Sequence, residues 1–291
     1  MKMKIKAFTL NSFAKSMEGG NPAAVVFDAD HLSEADMKKI AEKIGFSETA
    51  FVMNSNLADF KVRFFTPAEE VDLCGHATIG AFYMLLSEKR ITPGHYTQET
   101  KAGILNVYVK EDMSIIMNQS LPTFFETLDR EEIAGSLNIS VAQIDANFPL
   151  QIVSTGLKDI IVPIKDLSIL SSIKPDFEKV AAISKKYDVV GYHLFTLESL
   201  HNSNAHTRNL APLYGIPEES ATGTSNGALA CYMLKYGALS QQTVDNVIIE
   251  QGYSMDKPSE ILVSLSTLGD KIEEVRVGGK ALNISEIEVE I

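Results

Sequence analysis

Two stretches of this 291-residue chain place reactive or ligand-holding groups where a helix would begin. Cys74-Gly75-His76 leads into Ile79, Phe82, Tyr83 and Leu86 at helical spacing, and Thr222-Gly223-Thr224 leads into a second apolar run ending near Lys235. A helix start exposes unpaired N–H groups and the positive end of the helix dipole, so each stretch suits an anion. Gly75 and Gly223 would let backbone approach a ligand closely. The same field should lower the pKa of the Cys74 thiol and make it reactive. Thr222, at the matching position, has a hydroxyl far too weakly acidic to act as a partner base at neutral pH. Cys74 therefore reads as a packing or accessory residue, and Cys231, inside an apolar helix run, as core. Glu48 is a third point of interest. Its position alone suits a surface glutamate at a strand start, but it runs straight into Thr49-Ala50-Phe51-Val52, which is compatible with partial burial.

The elements that must carry these groups read as mixed α/β. Met3–Leu10 and Ala23–Phe27 look like strands around a loop through Gly19-Gly20-Asn21-Pro22. Ser33 and Asp36 form a capping box ahead of an apolar stripe of Met37, Ile40, Ala41 and Ile44, and Gly45 supplies a left-handed stop. Strands are expected at Glu48–Met53 and Phe60–Phe65, then a loop through Thr66-Pro67 to Leu73, then a helix from Gly75 to Arg90. Gly103–Lys110 and Met113–Met117 follow as strands. In the second half, Leu121–Asn138 holds a linker and a short helix, Gln151–Ile164 is strand-like, and Lys174–Tyr187 is helical. Gly191–Thr196 and Ala205–Leu210 are strands, a loop runs through Ala211-Pro212 to Thr222, and a helix spans Gly223–Lys235. Val247–Gln251, Ser259–Ser266 and Val275–Gly278 precede a short tail.

Composition narrows the function classes. With 45% hydrophobic and 22% charged residues the chain is of ordinary globular make-up, and its length suits two domains of about 150 residues each. A net charge of −12 without a Lys/Arg run speaks against nucleic acid as a partner. No segment reaches the roughly 18 apolar residues of a membrane span, and Met1–Leu10 is too short for a signal peptide. Two distant cysteines suggest neither a disulfide framework nor a metal cluster, so a reducing cytoplasm is the default. The six histidines lack metal-ligand spacing, and His201 and His206 read as loop residues.

The chain also repeats itself. Arg63-Phe-Phe-Thr-Pro67, a loop, Cys74-Gly75 and a helix with Gly80-Ala match Arg208-Asn-Leu-Ala-Pro212, a loop, Thr222-Gly223 and a helix with Gly227-Ala. Aligning Gly75 with Gly223 brings Cys74 onto Thr222 and His76 onto Thr224; Glu99 and Glu250 follow the two helices. Two copies packed face to face would set both helix starts across a cleft. There they could hold a carboxylate without any lysine or arginine.

These residues resemble the phenazine-biosynthesis PhzF-like isomerase family. Gly20-Asn21-Pro22-Ala-Ala-Val, Ser47-Glu48-Thr-Ala-Phe-Val, Cys74-Gly-His-Ala-Thr, Gly215-Ile-Pro-Glu-Glu-Ser-Ala-Thr-Gly-Thr, Glu250-Gln-Gly and Val275-Arg-Val-Gly-Gly all look like its motifs, in order along the chain. The resemblance implies a diaminopimelate epimerase-like fold, with two similar α/β domains, each a curled, mostly antiparallel sheet around a central helix. The expected domains are residues 1–118, with a tail of about 278–291 packing back onto them, and 119–277. It further implies a cytoplasmic homodimer that needs neither metal nor organic cofactor and moves a proton between carbons of a small carboxylate-bearing metabolite. Glu48 matches the family's catalytic carboxylate, which should be buried with its pKa raised toward neutrality. His76 matches a histidine that orients substrate or relays the proton. Glu219 falls where the family more often has aspartate, with Glu218 as the counterpart if the loop register slips; Ser220 stands in place of proline and Thr224 in place of serine. Ser47, Gly75, Gly223, Thr224 and Asn21 match substrate-binding positions. Two other readings stay open: an amino-acid epimerase or racemase using Cys74 and Glu48, and a non-catalytic binding protein on the same scaffold.

Overall fold

The computed structural model describes residues 3–291; Met1 and Lys2, which begin the expected first domain, lie outside the described residues. The chain divides into two compact units, one running to Asn118 and resuming at Gly278–Ile291, the other spanning Gln119–Val277.

The first unit opens with β1 (Lys4–Ser12), β2 (Asn21–Val26), α1 (Glu34–Ile44), β3 (Thr49–Met53), β4 (Phe60–Phe65) and β5 (Glu70–Val71). It continues with α2 (Gly75–Ser87), β6 (Gly94–Thr100), β7 (Gly103–Val109) and β8 (Ile115–Gln119). α1 starts where its capping box requires: the Ser33 N–H donates to Asp36 Oδ2 at 3.0 Å and the Asp36 N–H to Ser33 Oγ at 3.2 Å. Gly45 ends it at φ 75°, a left-handed turn that costs glycine little. α2 is of another kind. Residues 76–85 are all buried, so the helix is apolar around its circumference and lies inside the unit with the strands around it.

The second unit holds β9 (Thr123–Thr127), α3 (Arg130–Leu137), β10 (Gln151–Ser154), β11 (Lys158–Pro163), α4 (Leu167–Ser172), α5 (Phe177–Lys186) and β12 (Gly191–Thr196). After these come β13 (Ala205–Ala211), β14 (Ile216–Glu219), α6 (Gly223–Lys235), β15 (Val247–Gln251), β16 (Ser259–Leu268) and β17 (Lys271–Gly279); β18 (Ala281–Glu290) returns to the first unit. α6 is buried from Ser225 to Met233 and is the counterpart of α2.

Both units follow one plan. β2 pairs parallel with β3, β3 antiparallel with β4, and β4 antiparallel with β5 but parallel with β6. β11, β12, β13, β14 and β15 repeat that sequence of directions. Side chains repeat it too. Arg63 grips Glu70 through Nε and a terminal nitrogen, both at 2.7 Å, and Arg208 grips Glu218 in the same way at 2.9 and 2.8 Å. Lys61 meets Glu99 at 2.9 Å, and His206 meets Glu250 at 2.8 Å. β1 and β10 precede this plan, each antiparallel to its first strand, and each carries a further antiparallel strand: β18 on β1 and β9 on β10.

The fold class is the one expected, and the differences are local. α2 stops at Ser87 rather than Arg90, and α5 begins at Phe177 rather than Lys174. The expected loops before the two inner helices each contain a short strand, β5 or β14, that brings its glutamate to the arginine. His206 is not a loop residue but lies buried in β13 against Glu250. Gly80 and Gly227, paired in the sequence motif, fall one helix position apart once Gly75 and Gly223 each open a 13-residue helix.

Candidate active site

The start of α2 gathers the first unit's polar groups. Cys74 precedes the helix in extended conformation, and no side chain among the described residues caps its N–H groups there. Ser12, at the end of β1, donates its hydroxyl to the His76 carbonyl at 2.6 Å, which fixes the first turn against the sheet. Thr78 closes the turn from within by donating to the Cys74 carbonyl at 2.8 Å.

His76 is the hub. Its Nε2 lies 3.0 Å from Glu48 Oε2, an ion-pair distance at which the N–H is poorly aligned on the oxygen. Its Nδ1 lies 3.4 Å from Cys74 Sγ and 3.4 Å from Asn21 Nδ2, while Ser47 Oγ approaches Nε2 at 3.4 Å. Side-chain exposure is 8% for His76 and 20% for Glu48, so the carboxylate is mostly shielded but reachable. Glu48 stands immediately before β3, on whose far side Phe51 and Val52 enter the core. Four residues named from the sequence, Glu48, His76, Ser47 and Asn21, are thus brought together with Cys74.

Electrostatics correct two expectations. Burial pushes the Glu48 carboxyl up, but His76, with help from Ser47 and Cys74, outweighs it and holds Glu48 below the ordinary carboxylate value. The expected rise toward neutrality is not found. Burial disfavours a charge on His76, yet Cys74 and Glu48 reverse this and raise its pKa well above the usual imidazole value. For Cys74, burial pushes the thiol up; His76 opposes this, Glu48 adds to it, and the net direction is upward. The helix start does not make this cysteine a ready thiolate, because desolvation dominates. Both directions favour a Glu48 carboxylate beside a protonated His76.

Glu48, Cys74 and His76 each offer a ligand atom, and these lie within 4.8 Å of one another. A metal ion placed there would have to displace the imidazolium proton and a thiol proton from a desolvated site.

The second unit offers a different arrangement. α6 also begins uncapped: Thr222 Oγ1 donates to Glu219 Oε2 at 2.8 Å and accepts from Gln251 Nε2 at 3.1 Å rather than from a helix N–H. Thr155 donates to the Thr224 carbonyl at 3.0 Å, repeating the role of Ser12. Glu218 is engaged by Arg208 and serves the fold, which leaves Glu219 as the acid beside Gly223 and Thr224. Sequence reasoning missed the polar side chains beneath this helix start: His193, Asn209, Asn226 and Gln251, all buried. The one available signal was their polarity within otherwise apolar strand and helix runs.

Residues 10–286 match the family described as phenazine biosynthesis-like protein. An isomerase of Bacillus subtilis, YfhB, is 34% identical over 278 residues, covering 93% of this chain and 94% of the relative. A trans-2,3-dihydro-3-hydroxyanthranilate isomerase of Pseudomonas chlororaphis is 27% identical over 94% of this chain and 95% of its own. The crystal structure of a PhzF-family phenazine biosynthesis protein from Bacillus anthracis superposes with a TM-score of 0.89 at 34% identity, covering 99% of this chain and 100% of that one.

Proposed function

The chain belongs to the phenazine biosynthesis-like family, and from that premise we propose that this isomerase moves a proton between two carbons of a small carboxylate-bearing substrate, with Glu48 as base and then acid. The observation that carries the reading is the Glu48–His76 pair at the uncapped start of a buried helix.

A carboxylate held ionised is ready to accept a proton. In the first step a substrate C–H bond breaks, its electron pair enters the adjoining unsaturated system, and the proton forms an O–H bond on Glu48. In the second, that O–H bond breaks and the proton closes a C–H bond at another carbon, so atoms and charge balance without an organic cofactor. His76 would hold the carboxylate in place and lower the cost of its charge, while Ser47 and Asn21, both beside His76, and the Gly75 N–H would orient the substrate. In the second unit, Gly223 and Thr224 would suit a carboxylate and Glu219 an amine or hydroxyl. The acidic composition speaks against nucleic acid as a partner, and among the described residues no helix is long and apolar enough to cross a membrane.

The epimerase reading would need Cys74 and Glu48 on opposite faces of one carbon. Each base would have to come within about 3–3.5 Å of that carbon, which sets the two about 6–7 Å apart. Here they share one imidazole and lie within 4.8 Å.

The test is to follow proton movement in D2O with trans-2,3-dihydro-3-hydroxyanthranilate and a panel of unsaturated carboxylates, ligands being found first by thermal shift. Glu48→Gln should lower kcat by about 10²–10⁴-fold while leaving ligand binding in place. An active wild type whose activity survives that substitution refutes the proposal. Loss of deuterium incorporation at a stereocentre in Cys74→Ser would favour the epimerase.

A further inference from the structure

The polar side chains under α6 can be oriented one after another from a single end. Ser225 Oγ donates to Asp159 Oδ2 at 2.6 Å, a carboxyl that burial raises to about 7, and accepts from Asn209 Nδ2 at 3.1 Å. The same amide donates to His193 Nδ1 at 3.1 Å, which makes Nδ1 an acceptor and leaves the ring proton on Nε2. Nε2–H then donates to Asn226 Oδ1 at 3.1 Å. With its oxygen so fixed, Asn226 turns Nδ2 toward Gln251 Oε1 at 2.6 Å and the Thr222 carbonyl at 2.8 Å. Gln251 Nε2 donates onward to Thr222 Oγ1 at 3.1 Å and the Glu219 carbonyl at 2.8 Å. The Thr222 hydroxyl has one proton left to place, and it goes to Glu219 Oε2.

We infer that His193 is a positioning residue: through Asn226 and Gln251 it fixes the Thr222 hydroxyl on Glu219, and so the direction in which that carboxylate meets a substrate. The inference rests on the isomerase reading for what Glu219 does. Its physical basis is separate. His193, Asn226 and Gln251 have no solvent exposure, so each amide or ring that turned the wrong way would leave a donor or acceptor unpaired in a dry interior. Burial also depresses the His193 pKa to about 4, which keeps the ring in the neutral, one-donor form that the chain requires. The first unit has no such device at its helix start. There Gln98 makes one long 3.3 Å bond to Thr78, and its Oε1 is unpartnered among the described residues. An elaborate truss under one helix start and a sparse one under the other fits a demand for placing Glu219 rather than a general need of the fold.

Two readouts separate this from a purely structural role. The first needs no substrate: the Gln251 side-chain amide, protected from solvent exchange in the wild type by NMR, should lose protection in His193→Phe and in Asn226→Asp. It should keep protection in His193→Gln, which retains a donor near the Nε2 position. Asn226→Asp still accepts from His193 but sets an acceptor against Gln251 Oε1, so it carries the test even where His193→Phe fails to fold. The second readout compares 2-aminobenzoate with benzoate by calorimetry. A structural defect weakens both alike, whereas a misplaced Glu219 lowers the preference for the amino acid by about tenfold, the cost of about one hydrogen bond, toward the value of Glu219→Gln. Retained Gln251 protection in His193→Phe and Asn226→Asp overturns the inference, and so does an unchanged preference in variants where Glu219→Gln abolishes it. If Glu219→Gln itself leaves the preference intact, the substrate role of Glu219 falls, while amide protection still judges the truss.

Discussion

His76→Gln should raise the pH at which Glu48 takes up a proton, because the substitution removes the counter-charge and leaves the burial. The imidazole nitrogen and the carboxylate oxygen are 3.0 Å apart, with side chains 8% and 20% exposed, so the contact is screened far less than a surface pair. Burial is the largest influence on Glu48 and pushes it up; His76 is the largest influence opposing it. A hydrogen bond to a charged group contributes about 2 kcal/mol, and at 1.36 kcal/mol per pH unit its loss moves the midpoint up by about 1.5 pH units. The stability consequence follows in sign. Glu48, depressed in the folded state, contributes stability above its unfolded value that is lost as pH falls through its folded one. His76, raised in the folded state, contributes stability below its unfolded value that is lost as pH rises through its folded one. The variant loses the His76 contribution and weakens that of Glu48, so its stability should fall less than that of the wild type as pH drops below the ordinary glutamate value and as pH rises above the ordinary imidazole value. The direct assay is 13C NMR of labelled glutamate, with the Glu48 carboxyl carbon identified by its absence in Glu48→Gln; where a substrate is in hand, the acid limb of kcat/KM should move with it. A Glu48 midpoint that stays put in His76→Gln would refute the electrostatic account.

Two further outcomes test the scaffold. Arg208→Met strands the Glu218 carboxylate, whose side chain is 13% exposed, and frees the carbonyls of Leu170 and Ile173, so it should cost about 4 kcal/mol in urea unfolding. Arg208→Met/Glu218→Leu should recover much of that loss, and a double variant worse than the sum of the singles would contradict the pairing. Gly191→Ala would put a methyl carbon 1.8 Å from the Leu210 carbonyl oxygen, a backbone atom that cannot step aside, so it should cost at least about 3 kcal/mol; an unchanged Tm would disprove that contact.

The sequence disclosed most where one residue type answers one physical demand. Ser33, Asp36 and Gly45 bound α1 because caps are local, and Arg63 and Arg208 marked the repeat because each fixes a glutamate across a short strand. What escaped it depends on partners distant in the chain. β6, Gly-His-Tyr-Thr-Gln-Glu-Thr, has too few apolar residues for alternation to show, and β18 keeps most of its side chains exposed, yet each is a strand because a neighbour supplies the ladder. The titration of Glu48 and Cys74 was misjudged for the same reason. A rise from burial and a fall from the helix start were foreseeable one at a time, but not the sums: His76, with Ser47 and Cys74, outweighs burial at Glu48, whereas burial outweighs His76 at Cys74.

The repeat also explains why one scaffold can carry unequal chemistry. Each unit fixes its inner helix with the same three devices: an arginine on a strand, a hydroxyl from the first hairpin to the second helical carbonyl, and a side chain closing the first turn. None of those devices uses the side chains of Cys74 and His76 or of Thr222 and Thr224, which are left free to diverge. In the first unit that freedom is filled by an imidazole between a carboxylate and a thiol, a cluster whose members can exchange protons. In the second it is filled by amides and a neutral imidazole, which hold hydrogen-bond directions, above an Asp159 carboxyl that burial raises to about 7. The two copies of one fold thus carry different polar clusters at the same helix start, one centred on an imidazole beside a carboxylate and a thiol, the other on amides.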